Sequence, residues 1–131
     1  MKIVLMLLCC ITLVSCSLFE NAPEERINHA VFCWLKDSGN KVQRAQVIAI
    51  SETFREIPGV LEVRVGEVIP SDRAIVESGY DVAIFLSFHN KEDLKAYLDH
   101  EIHQDAKKTV LIPLTKKVIV YDFVEKFKSY K

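Results

Sequence analysis

Ile27, His29, Val31, Cys33 and Leu35 alternate with Asn28, Ala30, Phe32 and Trp34, so one stretch presents apolar side chains on both of its faces. A strand of that kind belongs inside a sheet and must be covered on both sides. After the Asp37-Ser38-Gly39 turn, Asn40 with Gln43 three residues on opens a helix whose expected inward stripe is Val42, Ala45, Ile48 and Ala49. Pro58-Gly59 stops it. Leu61, Val63 and Val65 alternate with Glu62 and Arg64 in a second strand, and Pro70 to Gly79 is a polar connection. A third strand sets Val82, Ile84, Leu86 and Phe88 on one face and Ala83, Phe85 and Ser87 on the other. Asn90, with Asp93 three residues later, opens a second helix with Leu94, Tyr97 and Leu98 inward. A further helical stretch runs from about Gln104 to Leu111 and ends at Pro113. Lys117 to Val124 reads as the last strand, with Val118, Val120 and Asp122 on one face and Ile119, Tyr121 and Phe123 on the other.

The order β-α-β-β-α-β predicts an α+β fold of ferredoxin-like type, a four-stranded antiparallel sheet with both helices on one face. Right-handed crossovers place the first and third strands side by side, read here as a parallel pair, with strand four beside strand one and strand two beside strand three. Phe32, Trp34, Phe85, Tyr121 and Phe123 then share the uncovered face, a larger apolar patch than a monomer usually exposes. Two sheets packed through that patch would make a homodimer, a dimeric α+β barrel.

Ahead of this domain, Lys2 is followed by Ile3 to Val14, apolar except for Thr12, and then by Ser15-Cys16. The run has the length of a signal-peptide core and is shorter than the ~20 residues a membrane span needs. Leu13-Val14-Ser15-Cys16 reads as a bacterial lipobox, with Cys16 the acceptor of the lipid. The chain therefore divides into a signal peptide (1–15), a tether containing Pro23 (16–25), the α+β domain (26–124) and a short tail (125–131). The expected location is the bacterial cell envelope, anchored by lipid to a membrane. Ser17 in place of an aspartate favours the outer membrane where the cell has two. Removing Lys2 takes one of 17 basic side chains from a chain with 18 acidic ones, which argues against a nucleic-acid partner. Cys9 and Cys10 leave with the signal and Cys16 is lipidated, so Cys33 alone keeps a thiol and no internal disulfide can form.

The same topology gathers polar residues. His29 near the start of strand one, Asp122 near the end of strand four, and the ridge Tyr97, His100 and His103 on the second helix are expected at one edge of the sheet. A phenol, imidazoles and a carboxylate around an apolar floor can perform acid-base chemistry. The histidine spacing matches no zinc signature, and no metal or other cofactor is read from the chain. The bland readings are dipole interaction at a helix end for His100 and His103, a core position for Tyr97, and a polar pair for His29 and Asp122.

These residues resemble the stress-responsive dimeric α/β barrel, or Dabb, family over roughly residues 27–124. The resemblance rests on Asn28-His29-Ala30-Val31-Phe32, Ile57-Pro58-Gly59-Val60, Gly79-Tyr80-Asp81, Val120-Tyr121-Asp122-Phe123 and above all Tyr97-Leu98-Asp99-His100-Glu101-Ile102-His103. The last is similar to the family's Tyr-x-x-His-Pro-x-His signature, with Glu101 where proline is usual. The resemblance implies dimers formed through the sheets. By analogy with a plant polyketide cyclase of the family, it also implies acid-base roles for Tyr97 and His103, with His29, His100 and Asp122 beside the ligand, His100 either at the rim or orienting the helix end. Three functions follow as alternatives: binding of a small apolar or aromatic molecule by a lipid-anchored dimer, polyketide-cyclase-type catalysis on a carbonyl compound, or a structural module with a closed cleft.

Overall fold

The computed structural model describes residues 25–126, so the lipobox, the signal segment, most of the tether and the end of the tail lie outside the described residues. Alternation in the sequence becomes alternation in burial along β1 (Glu25–Leu35), where Ile27, His29, Val31, Cys33 and Leu35 are all buried. The chain continues through α1 (Lys41–Glu52), β2 (Val60–Glu67), β3 (Val82–Phe88), α2 (Lys91–Asp99), α3 (Glu101–Ala106), α4 (Ile112–Leu114) and β4 (Thr115–Lys126). A 3-10 turn at Thr53–Glu56 follows α1, and a π turn at Lys107–Leu111 joins α3 to α4. The fold is ferredoxin-like, with the helices on one face of a four-stranded sheet.

Strand order is β2-β3-β1-β4, and every neighbouring pair is antiparallel. The expectation of parallel first and third strands is therefore corrected. A right-handed β-α-β crossover makes β1 and β2 run the same way with a gap between them. β3 returns from β2 into that gap and runs against both. β1 also begins earlier than read, at Glu25, so His29 sits in mid-strand, opposite Leu86 on one side and Asp122 on the other.

Asn40 accepts a hydrogen bond from the Gln43 amide (3.0 Å) and Asn90 from the Asp93 amide (2.8 Å), so both expected caps form, each worth about 1 kcal/mol. The inward stripe of α1 differs from the expected one. Val47 and Ser51 are buried with Arg44 and Ile48 beside them, whereas Val42 is 69% exposed and Ala45 and Ala49 face outward. Arg44 turns inward because its guanidinium pairs with buried Asp81, and that pairing rotates the helix away from the purely apolar solution. In β2 the register shifts between Val60 and Glu62, so Leu61 is the extra residue of a bulge and is exposed. The helical path also continues past Pro113, which stands in the first turn of α4 where a missing amide costs little.

Phe54, Ile57, Leu94, Tyr97 and Ala106 complete the core against the helix-side residues of β1 and β3. β4 is an edge strand exposed on both faces for most of its length. On the face away from the helices Phe32, Trp34, Phe85, Tyr121 and Phe123 line up as expected, and Tyr80 joins them with edge-to-face contacts to Phe32 and Trp34. Tyr121 and Phe123 are about half exposed.

Candidate functional site

Between the helix-side face of β1 and β4 and the hairpin formed by α2 with α3 lies a cavity of about 350 Å³. Val31, Ile84, Phe54, Leu98, Val118 and Val120 give it apolar walls, and His29, Tyr97, His103 and Lys107 supply polar groups. A mainly apolar pocket with a few convergent polar side chains, at the lower end of the usual ligand-site volume, has the form of a small-molecule site. It opens beside α4 and the edge strand β4, where Ile112 of α4 is 58% exposed.

Tyr97 is the centre of the cluster. Its ring tilts over His103 at 4.5 Å between centroids and meets His29 and Phe54 edge-on at 5.8 and 5.5 Å. The residue is 2% exposed, and burial pushes its phenol well above the usual range. It stays protonated at any physiological pH and can only donate or accept a hydrogen bond. Its hydroxyl bonds to none of the described residues and is not among the fully buried unpaired atoms, so it remains available to an occupant of the cavity.

His103 is held by the end of the preceding helix. α2 stops at Asp99, leaving the Leu98 carbonyl without its helical partner, and His103 Nδ1–H donates to that oxygen at 3.0 Å while Gln104 donates at 2.6 Å. With Nδ1 engaged to a carbonyl, Nε2 carries the lone pair of the neutral ring. Burial lowers the His103 pKa; the Leu98 carbonyl opposes this, and the charges of Lys107 and His29 add to the lowering. The ring is therefore a neutral base near pH 7. His29 Nδ1 bonds Asp122 Oδ1 at 2.6 Å across the β1–β4 pair, with His29 buried and the carboxylate half exposed.

Of the residues singled out from sequence, His29, Tyr97 and His103 line the cavity together. Asp122 stands behind His29 and borders a separate depression with Ile27, Leu94 and Phe123. His100 does not line the cavity. Its Nδ1 accepts from the Ile102 amide at 3.3 Å, its own amide donates to the Tyr97 carbonyl at 3.2 Å, and its extended backbone turns the chain from α2 into α3. Glu101 is then the first residue of α3, where proline is common and where a carboxylate meets the positive end of the helix. Replacing the usual proline thus leaves the turn intact. Phe54 and Lys107 were missed; only the four-residue spacing of His103, Lys107 and Leu111 pointed to the latter. Cys33 is wholly buried and its thiol is pushed up to about 11 by burial, so it stays neutral. Among the described residues no three His, Cys, Asp or Glu side chains are placed to hold a metal ion.

The model of the stress-responsive A/B barrel domain, Dabb, matches residues 27–125. The chain belongs to that family. Among solved structures, a Dabb protein with a ferredoxin-like fold from Mesorhizobium loti superposes with a TM-score of 0.62 at 18% identity, covering 76% of this chain and 95% of its own. A dimeric ferredoxin-like protein of unknown function from Thermobifida fusca gives 0.61 at 22% identity, with 76% and 90% covered. A hydroxynitrile lyase from Passiflora edulis gives 0.66 at 23% identity, with 83% and 99% covered. No curated protein matches the chain. At these identities the structures establish the Dabb fold and no activity.

Proposed function

We propose that this Dabb chain is a lipid-anchored homodimer that binds a small apolar or aromatic molecule in the cavity beside Tyr97. The observation that carries the reading is a 350 Å³ apolar space onto which two histidines and a tyrosine whose hydroxyl bonds to none of the described residues converge. Calorimetric titration with small aromatic and polyketide-like compounds, followed by a bound structure, tests it. Tyr97→Phe should weaken a bound compound about five- to tenfold, the loss of one hydrogen bond of about 1 kcal/mol. A compound that sits elsewhere, or affinity indifferent to this change, overturns the reading.

A second reading is favoured by the 2.6 Å His29–Asp122 pair and the neutral, Nδ1-anchored His103: acid-base catalysis on a carbonyl compound. His103 Nε2 would take a proton from the carbon beside the carbonyl while the Tyr97 hydroxyl hydrogen-bonds the developing enolate oxygen. A structural neighbour named as a hydroxynitrile lyase gives a precedent for an enzyme on this fold. His103→Ala should then cut turnover by about 10²–10⁴ with binding retained, and turnover unchanged in that variant removes the enzyme reading.

Anchoring rests on the Leu13-Val14-Ser15-Cys16 sequence. Mass spectrometry of the membrane fraction should find an acylated N-terminal Cys16, and Cys16→Ala should shift the protein out of that fraction. A mature chain beginning at another residue would contradict the lipobox. Among the described residues no helix is long and apolar enough to cross a membrane.

A further inference from the structure

His103, Lys107 and Leu111 recur every four residues along the path from α3 into the π turn, and all three line the cavity. Residues four apart drift round an α-helix of 3.6 residues per turn, and the wider π turn takes up that drift, keeping the three on one side. The cavity is therefore graded. Tyr97 and His29 at its inner end are almost fully buried, Lys107 further out is half-buried, and Ile112 at the rim is largely exposed. The Lys107 ammonium makes no hydrogen bond or ion pair with any described residue. Thr115 is already committed, its hydroxyl donating to the Leu111 carbonyl at 2.6 Å, so it offers that proton to nothing else.

The Lys107 stem can cover apolar surface while its ammonium, which has no anionic partner among the described residues, can form a charge-assisted hydrogen bond with a carboxylate at the cavity. Resting on the ligand-binding reading above and narrowing it, we infer that the cavity takes an apolar molecule bearing one carboxylate, with Lys107 as the group that binds the carboxylate. The apolar body lies along Val31, Ile84, Val118 and Val120, and its far end meets Tyr97. The position of Lys107 within range of His103, whose protonation it disfavours, keeps the cation on the same side of the cavity as the imidazole.

Two isosteric pairs test the inference by calorimetry on protein produced from its full-length gene: octanoate against octan-1-ol, and 2-naphthoate against 2-naphthalenemethanol. The straight-chain and aromatic pairs report separately on the shape of the apolar body. In at least one pair the carboxylate should bind about tenfold more tightly than the alcohol, as a charge-assisted contact does over a neutral one. Lys107→Met should abolish the preference, bringing the carboxylate's affinity down to the alcohol's, and Lys107→Arg should keep it. Raising salt from about 50 to about 500 mM should weaken only the carboxylate, a readout that needs no variant. Equal affinities within both pairs, or a preference that survives in Lys107→Met, overturns the inference and leaves the apolar-ligand reading standing. Binding of neither pair overturns both.

Discussion

Asp81→Ala should destabilise the domain by about 3–5 kcal/mol, the size of effect seen when one partner of a buried charged network is removed. Asp81 is 1% exposed at the entrance to β3. Its Oδ2 accepts from the Leu35 amide at 2.9 Å, and its Oδ1 accepts from the Gly39 amide at 2.7 Å and the Arg44 guanidinium at 3.2 Å. The Asp81 amide itself donates to the Cys33 carbonyl at 2.8 Å. One carboxylate thus ties the end of β1, the turn with Gly39 at φ +83° and the first turns of α1 to the start of β3. Truncation leaves the Leu35 and Gly39 amides and the Ser38 hydroxyl without this acceptor and leaves the Arg44 guanidinium only Glu67, and a domain of this size holds only about 5–15 kcal/mol in total. Burial by itself would raise the Asp81 pKa, but the Gly39 and Leu35 amides and Arg44 outweigh it, and the net shift is below the ordinary value of 3.8. The folded state therefore binds this proton less readily than the unfolded chain. The contribution is fully present above about pH 4 and is lost as pH falls through the lower folded value. Urea melts from pH 7 to pH 2 should show wild type losing more stability below pH 4 than Asp81→Ala, and parallel acid limbs in the two proteins would contradict the assignment.

The same carboxylate explains part of what could be read from the sequence and what could not. Side-chain parity in β1, β3 and β4 was legible because a period of two leaves only two choices and the apolar residues select one. The Asn40 and Asn90 caps were legible because a cap is a local event. The inward face of α1 was not, since Arg44 looks like a surface residue until Asp81, 37 positions away, supplies a buried partner. Strand direction was misread for a related reason: adjacency of β1 and β3 depends on the crossover, but their sense depends on the return from β2. The bulge at Leu61 shifts one residue out of an alternation that otherwise continues. For the candidate site, the Tyr97 and His103 spacing was visible, and so was the approach of His29 to Asp122 across antiparallel strands one and four; the mistaken parallel sense of β1 and β3 bore only on how α2 delivers Tyr97 and His103. The pair forms because His29 and Asp122 face each other in the β1–β4 register. Tyr97 reaches the same place because α2 runs back over the sheet from the end of β3.

Trp34→Lys should convert the proposed homodimer into a monomer, weakening association about a hundredfold or more, since an unpaired charge buried in an interface costs several kcal/mol at 1.4 kcal/mol per decade. Trp34 stands at one end of the open face, with the Lys117 ammonium 4.3 Å from its ring centre. Phe32 contacts both Tyr80 and Tyr121 edge-on, and Phe85 lies beneath the Arg64 guanidinium at 4.8 Å. Single exposed aromatics are ordinary, but this row crosses β1, β3 and β4 as one surface, and the described helices cover the other face. A second lysine beside Lys117 would place two like charges where the partner sheet must pack. A glutamate at the same position would pair with Lys117 and blunt the test. Val42→Lys, on the outward side of α1 where Val42 is 69% exposed, is the matched control and should leave association unchanged. Light scattering coupled to size exclusion at micromolar concentration reads the result. Wild-type protein eluting as a monomer, or Trp34→Lys remaining a dimer, would mean that this face is covered by something other than a second copy of the chain.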